Sequence, residues 1–217
     1  YPDNGTRDER AEETFDIQVS ALVQRLRYMG AEHAVLGISG GLDSTLALLV
    51  TVGAFDFLGL DRKGIIGVTM PGLGTSSHTK GNALRLMELL GVTQRTIDIK
   101  DACLRHFEAI GHDPAVQDVV YENAQARERT QILMDLANAY NAPVIGTGDL
   151  SELALGWCTY NGDHMSMYSV NAGLPKTGVQ LVVDYLGRSE RFGHELREVL
   201  RIKRERFDSP SWNLGVR

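Results

Sequence analysis

The chain has 217 residues, enough for one well-packed α/β domain, and its 43% hydrophobic and 23% charged content is ordinary for a soluble protein. This composition excludes the fibrous and disordered classes. The formal net charge of −6 argues against nonspecific binding of nucleic acid, which needs a positive surface to replace counterions.

Cysteine content and apolar runs bound the environment of the chain. Cys103 and Cys158 lie far apart, without CxxC or Cys/His spacing, and are expected to be reduced thiols of a cytoplasmic protein. A disulfide between them stays open at this level. No apolar run is long enough to span a bilayer, and the first residues lack a basic region followed by an apolar one. We therefore expect neither a membrane nor a nucleic acid as partner.

The first predicted element is an amphipathic helix. Its apolar side chains recur every three or four residues, at Phe15, Val19, Leu22, Leu26 and Met29. Gly30 follows directly, and glycine is the usual residue after the last turn of a helix. The pattern thus predicts a helix that ends at Gly30.

A strand, a glycine turn and a second helix are predicted next. Residues 35–38 are apolar, Ser39-Gly40-Gly41 break the run, and a helix-favouring segment continues from Ser44. Glycines let consecutive N–H groups point at one set of oxygens, and the helix adds the positive end of its dipole. The stretch therefore predicts an anion site, with phosphate as the expected anion.

Asp43 lies inside this turn and constrains the chemistry. A bare carboxylate would repel phosphate, so the arrangement makes sense when a divalent cation bridges the two. No Gly-Lys-Ser/Thr follows the glycines, so this is not a Walker A loop. The alternative interpretation is a strand-to-helix turn whose glycines serve packing alone.

Predicted strands and helices alternate along the rest of the chain. Further strands are expected at residues 64–70, 95–99 and 143–148, and helices at 83–90, 101–111 and 132–140. Alternation implies a parallel sheet, right-handed crossovers and a doubly wound α/β fold. Ligands of such sheets bind beyond the carboxyl ends of the strands. The turn at 39–44 and the loops at 70–80 and 147–152 fall there.

Several polar residues outside the turn leave alternatives open. The loop at 74–80 contacts nucleotide or is solvated, and His106 is interpreted as a packing or surface residue rather than a ligand. Asp149 and Glu152 open a helix, where acidic residues usually complement the dipole. If Glu152 instead reaches the mouth of the sheet together with Asp43, both supply hard oxygen ligands for Mg²⁺.

Two later features are equally ambiguous. The aromatic rings of Trp157 and Tyr160 suit stacking on a flat heterocycle or ordinary packing. Lys176 suits neutralisation of phosphate charge or simple solvation.

Five motifs occur together in a specific order. They are residues 39–44, 70–77, 121–130, 146–157 and 161–177. The first resembles the loop of the ATP pyrophosphatases, and the set, which covers roughly residues 12–186, resembles the synthetase domain of the NAD synthetases, closest to the glutamine-dependent type. The resemblance implies an adenine nucleotide α-hydrolase-like fold and a single synthetase domain over residues 1–217.

The resemblance implies an AMP-forming carbon–nitrogen ligase. ATP adenylates the nicotinate carboxylate of deamido-NAD with release of pyrophosphate, and ammonia then displaces AMP to give NAD. Asp43 and Lys176 are the expected catalytic residues, and Asp43 and Glu152 the expected Mg²⁺ ligands. The expected ATP contacts are Gly37, Ile38, Ser39, Gly40, Gly41, Leu42, Asp43, Ser44 and Thr147. The expected deamido-NAD contacts are Asn123, Glu152, Trp157, Cys158, Thr159 and Tyr160.

Two departures from the family pattern accompany these expectations. The amidase domain of the glutamine-dependent type is absent from these 217 residues, so ammonia is the expected donor and glutamine requires a longer chain. The pattern after Leu186 passes directly to a basic helix expected to end near Phe207, which suggests a missing or shortened segment near residues 186–190. The family resemblance also implies a homodimer or a higher homo-oligomer.

Two other hypotheses compete with the NAD synthetase interpretation. One is another ligase with the same ATP loop, such as a transfer-RNA-modifying or GMP-synthesising enzyme. An RNA-modifying enzyme should carry a basic face or thiol or metal sites, which the composition disfavours. A noncatalytic nucleotide-binding module would tolerate loss of Asp43, Glu152 or Lys176.

Overall fold

Parallel strands form the centre of the chain in the computed structural model, which describes residues 5–74, 77–193, 196, 197, 199 and 200, and the backbone alone for residues 77–80. The strands are β1 (Ala34–Gly37), β2 (Ile65–Thr69), β3 (Thr93–Thr96), β4 (Ile145–Gly146) and β5 (Tyr168–Ser169). The helices are α1 (Arg7–Met29), α2 (Leu42–Leu58), α3 (Ser77–Leu90), α4 (Lys100–Ile110), α5 (Val119–Tyr140), α6 (Leu150–Leu155) and α7 (Lys176–Arg188).

The order of the strands differs from their order along the chain. Ala34 in β1 pairs with Ile65 in β2, β2 pairs with β3, and β4 pairs with β5, all in parallel. A parallel bridge between Val35 and Val144 joins the two sets. The resulting order is β3-β2-β1-β4-β5, and the chain runs outward from β1 on one side and from β4 on the other. The gap between β1 and β4 is therefore the topological switch point, where open α/β sheets bind ligands.

Helices cover both faces of this sheet, as the alternation of side chains along each strand requires. Leu36 and Ile65 lie in one core cluster with side chains of α1, α2, α3 and α7, whereas Val35 and Ile66 lie in another with Ala137 of α5. Neighbouring residues of a strand point to opposite faces, so an apolar strand needs cover on both sides. The predicted doubly wound α/β class is confirmed.

The boundaries of several elements differ from the prediction. The strand expected at 95–99 is Thr93–Thr96, the strand expected at 143–148 is Ile145–Gly146, and β5 has no counterpart in the prediction. The residues of β3 are polar and mostly exposed, and β5 has two residues. Neither strand therefore shows a clear apolar run in the sequence. The start expected at Ser44 is wrong as well, because α2 begins at Leu42.

Other predicted features fall partly outside the described residues. The expected polar loop at 74–80 gives way to α3 at Ser77, and residues 75 and 76 are not described. The basic helix expected to end near Phe207 lies largely in residues that are not described. Residues 186–188 form the last turn of α7.

Glycine residues correctly predicted the ends of two helices. Gly30 follows α1 with a φ of 59°, and its N–H donates to the carbonyl of Arg27, so the predicted end is confirmed. The residue Gly111 ends α4 in the same way, with a φ of 71°. Both positions lie in the left-handed region, which glycine adopts without a steric penalty.

The state of the two cysteines and the apolarity of the helices can be compared with the sequence expectations. Cys103 is buried and Cys158 is exposed, and both are free thiols. Burial raises the pKa of Cys103 above its usual range. None of the helices in the described part of the chain combines the length and the apolarity needed to cross a membrane.

Packing of α1 against α2 and α7 gives a stability prediction. Leu22 of α1 is 0% exposed, whereas Ile17 of the same helix is 62% exposed. Leu22→Ala should lower the free energy of unfolding by about 2–5 kcal/mol, because it removes buried methyl groups and leaves a cavity. Ile17→Ala, measured beside it by urea denaturation, should change it by less than about 0.5 kcal/mol. Equal losses in the two variants would show that α1 is not packed as described.

Candidate active site

A cavity of about 620 Å³ opens at the switch point, at the carboxyl ends of β1, β2 and β4. Gly37, Ser39, Asp43 and Ser44 line its β1 side, and Thr147 and Glu152 line its β4 side. Of the other predicted site residues, Ile38 and Cys158 also line it. The fold thus brings together residues that are more than a hundred positions apart in the sequence.

The glycine turn after β1 has the conformation that its composition predicts. Gly40 has a φ of 88°, while Gly41 is extended, with a φ of −76°, and is the residue that precedes the first turn of α2. The Gly41 N–H donates to Ser39 Oγ at 3.2 Å, and Ser39 Oγ lies 3.2 Å from Ser44 Oγ. The first turn of a 17-residue helix thus lies at the cavity beside two hydroxyl groups, and the first N–H groups of a helix have no partner within the helix.

Leu42 occupies a different position from the other residues of the turn. Its side chain is buried in the main core cluster together with Leu46 and Phe55. Any contact of Leu42 with a ligand therefore involves its backbone rather than its side chain.

A cluster of four charged side chains lies at the first turn of α2. The Lys176 Nζ donates to Asp43 Oδ2 at 2.6 Å and lies 2.9 Å from Asp149 Oδ2 and 3.9 Å from Glu152 Oε1. Lys176 is the first residue of α7, so it follows a loop as the sequence suggested. Three carboxylates face one ammonium group, and the ionised cluster carries two negative charges in excess.

Two of these carboxylates have a second role at the start of α6. Asp149 Oδ1 accepts from the N–H of Glu152 at 2.9 Å, and Glu152 Oε2 accepts from the N–H of Asp149 at 3.1 Å. This reciprocal capping box uses one oxygen of each residue and leaves the other oxygen towards Lys176. The predicted helix-opening role of these residues is confirmed, and the same capping box holds both carboxylates beside Lys176.

The pKa values in the cluster reflect burial opposed by pairing. Burial raises the pKa of Asp43 above its usual range, against the hydrogen bond from Lys176, and burial also raises the pKa of Glu152. Burial acts on Asp149 in the same direction, but the N–H of Glu152 and the ammonium of Lys176 hold its pKa below the usual range. Burial opposes the charged form of Lys176, yet its carboxylate partners keep its pKa raised. The ammonium is thus charged at neutral pH.

The donor set fits a divalent metal ion. Oxygens of Asp43, Asp149 and Glu152 lie within 4.8 Å of one another, and Mg²⁺ prefers such hard oxygen ligands. Asp43 Oδ1 is buried and has no hydrogen-bond partner within the described residues, so it keeps a lone pair to offer. The excess of two negative charges also matches a divalent cation. Asp149 adds to the expected pair of Asp43 and Glu152.

The residues predicted for deamido-NAD lie on α5, on α6 and in the loop after α6. Thr159 Oγ1 donates to Asn123 Oδ1 at 2.7 Å, which joins the loop after α6 to α5. Trp157 and Tyr160 are 67% and 78% exposed, so ordinary core packing does not describe either ring. Of the predicted set, Glu152 and Cys158 line the cavity, whereas Asn123, Trp157, Thr159 and Tyr160 are not among its lining residues.

Sequence reasoning missed some residues of the site. Arg129 of α5 lines the cavity and donates from Nε to the carbonyl of Met70 at 3.2 Å, and Gln125 Oε1 accepts from the N–H of Leu73 at 2.9 Å. Together they fix the loop after β2 against α5. His164 also lines the cavity, and its Nδ1 lies 2.8 Å from the carbonyl of Thr159. His106, by contrast, is exposed on α4, as expected for a surface residue.

Comparison with known proteins gives consistent findings. The family model described as NAD synthase matches residues 15–194. The glutamine-dependent NAD(+) synthetase of Mycobacterium bovis is 48% identical over 193 residues, which are 87% of this chain and 28% of that protein. The NH(3)-dependent NAD(+) synthetase of Methanosarcina mazei is 36% identical over 162 residues, 74% of this chain and 61% of that protein.

A solved structure extends the likeness to three dimensions. The glutamine-dependent NAD+ synthetase of Acinetobacter baumannii, in complex with adenosine diphosphate, matches with a TM-score of 0.76 at 27% identity. The match covers 88% of this chain and 35% of that one. The chain thus spans less than two thirds of each of these three relatives.

The left-handed backbone of Gly40 gives a prediction that tests whether this turn binds phosphate or only shapes the chain. Gly40→Ala should cost about 1–3 kcal/mol in the free energy of unfolding, because alanine is strained at a φ of 88°. It should also weaken binding of Mg-ATP by on the order of tenfold, since the N–H groups beside it are displaced. Calorimetric titration with Mg-ATP measures the affinity.

Gly59→Ala is the matched control. Gly59 follows the other end of α2 with a φ of 68°, so its substitution carries the same backbone strain away from the cavity. The affinity for Mg-ATP should then stay at the parent value. Parent affinity in the Gly40 variant would contradict a phosphate-binding role for this turn.

Proposed function

This chain belongs to the NAD synthase family, and from that premise we propose that it amidates deamido-NAD to NAD with ATP and ammonia. The observation that carries the proposal is the Lys176 ammonium held between Asp43 and Asp149 at the N-terminus of α2. A glycine turn, excess carboxylate charge and a single lysine suit a nucleotide that must lose pyrophosphate. Strand-to-helix packing alone requires no such cluster.

The reaction has two steps that balance without a covalent enzyme intermediate. A carboxylate oxygen of the nicotinate attacks the α-phosphorus of ATP, and pyrophosphate leaves. Neutral ammonia then attacks the activated carbonyl carbon, AMP leaves with the former carboxylate oxygen, and the amide nitrogen releases a proton. Carboxylate is a poor acyl donor, whereas its adenylate has a good leaving group.

The residues of the β1 side bind and orient the phosphates. N–H groups of the first turn of α2 and the hydroxyls of Ser39 and Ser44 would donate to phosphate oxygens. Thr147 lines the opposite side of the same mouth and would contact ATP there. Gly37 and Ile38 approach the nucleotide as the wall of the cavity.

The charged cluster would manage the electrostatics of pyrophosphate release. Asp43 and Glu152, with Asp149, would hold Mg²⁺, which when bound supplies positive charge against the phosphates. The Lys176 side chain is 41% exposed, so its ammonium can leave Asp43 for a phosphate oxygen at the mouth. It would then neutralise the charge that moves onto the departing pyrophosphate.

The part of the cavity beside α6 and the loop that follows it would receive deamido-NAD. Asn123, Glu152, Cys158 and Thr159 are proposed contacts, and the hydrogen bond between Thr159 and Asn123 fixes the loop that carries them. The exposed ring of Trp157 would stack on a heterocycle, and Tyr160, whose ring stacks on His164 at 5.8 Å between centroids, would offer its exposed face. This arrangement would place the nicotinate carboxylate between the loop after α6 and the turn after β1.

Three further features of the proposal concern the surroundings of the chain. Free thiols at Cys103 and Cys158 favour a reducing, cytoplasmic compartment. A homodimer with isologous pairing stays a prediction, drawn from the family. An amidase domain that supplies ammonia from glutamine would belong to a longer chain of the kind found in the relatives.

The proposal predicts the effect of Asp43→Asn on the first step. The amide keeps the shape of the side chain but removes the charge that opposes Lys176 and attracts the cation. Pyrophosphate release should fall by on the order of a hundredfold or more, the scale for loss of one preorganised electrostatic contact. Deamido-NAD affinity without ATP should change little, because its proposed contacts lie elsewhere.

Asp56→Asn provides the matched control. Asp56 lies near the other end of α2 and pairs with Arg62 at 2.6 Å, so the same substitution removes an exposed ion pair remote from the cavity. The rate of pyrophosphate release should stay near the parent value in this variant. If Asp43→Asn binds Mg-ATP and releases pyrophosphate as fast as the parent, Asp43 is a turn residue and the proposed function fails.

A second prediction concerns the nitrogen donor. Ammonia attacks as the neutral species, so the concentration of total ammonium needed for half-maximal rate should fall as pH rises towards the ammonium pKa. Glutamine should not replace ammonium for these 217 residues, since they match the NAD synthase family model and the amidase domain is expected in a longer chain. NAD formation from glutamine by the purified 217 residues, or a pH-independent ammonium requirement, would contradict free ammonia as the donor.

A further inference from the structure

Asn171 is a buried polar side chain in the connection between β5 and α7. Its exposure is 0%, and its Nδ2 donates to the carbonyl of Asp43 at 3.0 Å and to the carbonyl of Thr147 at 3.1 Å. Its Oδ1 accepts from Gln18 Nε2 at 3.2 Å. Both ends of the amide are therefore engaged, as a fully buried amide requires.

The two carbonyls belong to opposite sides of the switch point. Asp43 lies in the first turn of α2, after β1, and Thr147 precedes the capping residue Asp149, after β4. The sheet joins β1 to this side at Val35 and Val144, further from the site. The amide of Asn171 links the two segments at the level of the charged cluster.

The orientation of the Asn171 amide is itself fixed. Gln18 of α1 donates from Nε2 both to Asn171 Oδ1 and to the carbonyl of Val170 at 2.8 Å. Because Gln18 occupies the acceptor end, the donor end of Asn171 is held towards the two carbonyls. Asn171 also lies in the connection that leads directly into Lys176, the first residue of α7.

We propose that Asn171 is a positioning residue that sets the separation between the Asp43 carboxylate and the carboxylates of Asp149 and Glu152. The inference rests on the proposed function, since that separation matters for a site that holds a cation and the phosphates of ATP. Asn171 touches neither the substrate nor the ion. It acts through the backbone of the residues that do.

Loss of this link has a specific consequence. Asn171→Ala leaves the carbonyls of Asp43 and Thr147 without their shared donor, so the two segments are free to shift apart while both still fold. Removal of a group that orients metal ligands weakens metal affinity or activity by about 10–100-fold. The affinity for Mg-ATP should fall. The affinity for deamido-NAD, whose proposed contacts include Asn123 and Thr159, should not.

Val170→Ala is the control for a merely structural role. Val170 is the neighbouring residue and packs in the main core cluster, so its truncation destabilises the same segment without removing the link. Gln18→Met is a second test variant, since methionine of similar length fills the space but no longer orients the Asn171 amide. It should weaken nucleotide binding in the same direction and to a smaller extent than Asn171→Ala.

The experiment measures binding of Mn²⁺-ATP to the parent and the three variants from the Mn²⁺ paramagnetic resonance signal, together with KM for ATP and for deamido-NAD. We expect Asn171→Ala to weaken Mn²⁺-ATP binding by about 10–100-fold and to raise KM for ATP, with KM for deamido-NAD near the parent value. Val170→Ala should bind Mn²⁺-ATP like the parent even where its unfolding midpoint is lowered.

The possible outcomes test the positioning role of Asn171 separately from the proposed function. Mn²⁺-ATP affinity in Asn171→Ala equal to that in Val170→Ala would overturn the positioning role. Equal rises in KM for both substrates would also overturn it, because they indicate general loosening. If Asn171→Ala does not fold, parent affinity in Gln18→Met overturns the proposal and weakened affinity supports it. A parent chain that binds Mn²⁺-ATP but forms no NAD would overturn the proposed function while the binding comparison still tests Asn171.

Discussion

The pairing of Lys176 with Asp43 and Asp149 is the interaction on which the site depends. Each partner comes from a different segment: the first turn of α2, the start of α6 and the start of α7. Partly buried carboxylates repel one another, and the ammonium between them makes their proximity tolerable. The cluster still keeps an excess of negative charge and an unpartnered buried oxygen on Asp43. Both features leave the cluster able to accept a cation.

The rest of the fold holds these segments at one place. The strand order brings β1 and β4 side by side, and their carboxyl ends place the glycine turn opposite the capping box of α6. The capping box shares its carboxylates with the cluster, and the amide of Asn171 ties the two sides together. Secondary-structure contacts and site contacts are thus made by the same groups. A change that disturbs one should disturb the other.

Much of this arrangement was predictable because its signals are local. Ser39-Gly40-Gly41 after an apolar run marks a strand, turn and helix, and Gly30 and Gly111 mark helix ends. Asp149 was interpreted as a helix-opening residue, which is correct, but its 2.9 Å approach to Lys176 arises from tertiary structure. Asn171 and β5 carry no periodic signal, since their partners lie more than twenty residues away or on other strands. The sequence could place the turn and name Asp43, Glu152 and Lys176, but not the groups that hold them together.

The most direct test of this account locates the cation and the lysine in the same experiment. Crystals of the chain grown with Mn²⁺ and a non-hydrolysable ATP analogue would show the metal by its anomalous scattering. The account predicts Mn²⁺ bound by the carboxylates of Asp43 and Glu152, with the phosphates at the N-terminus of α2 and the Lys176 ammonium moved from Asp43 to a phosphate oxygen. Metal and phosphates bound elsewhere, with Lys176 still 2.6 Å from Asp43, would contradict it.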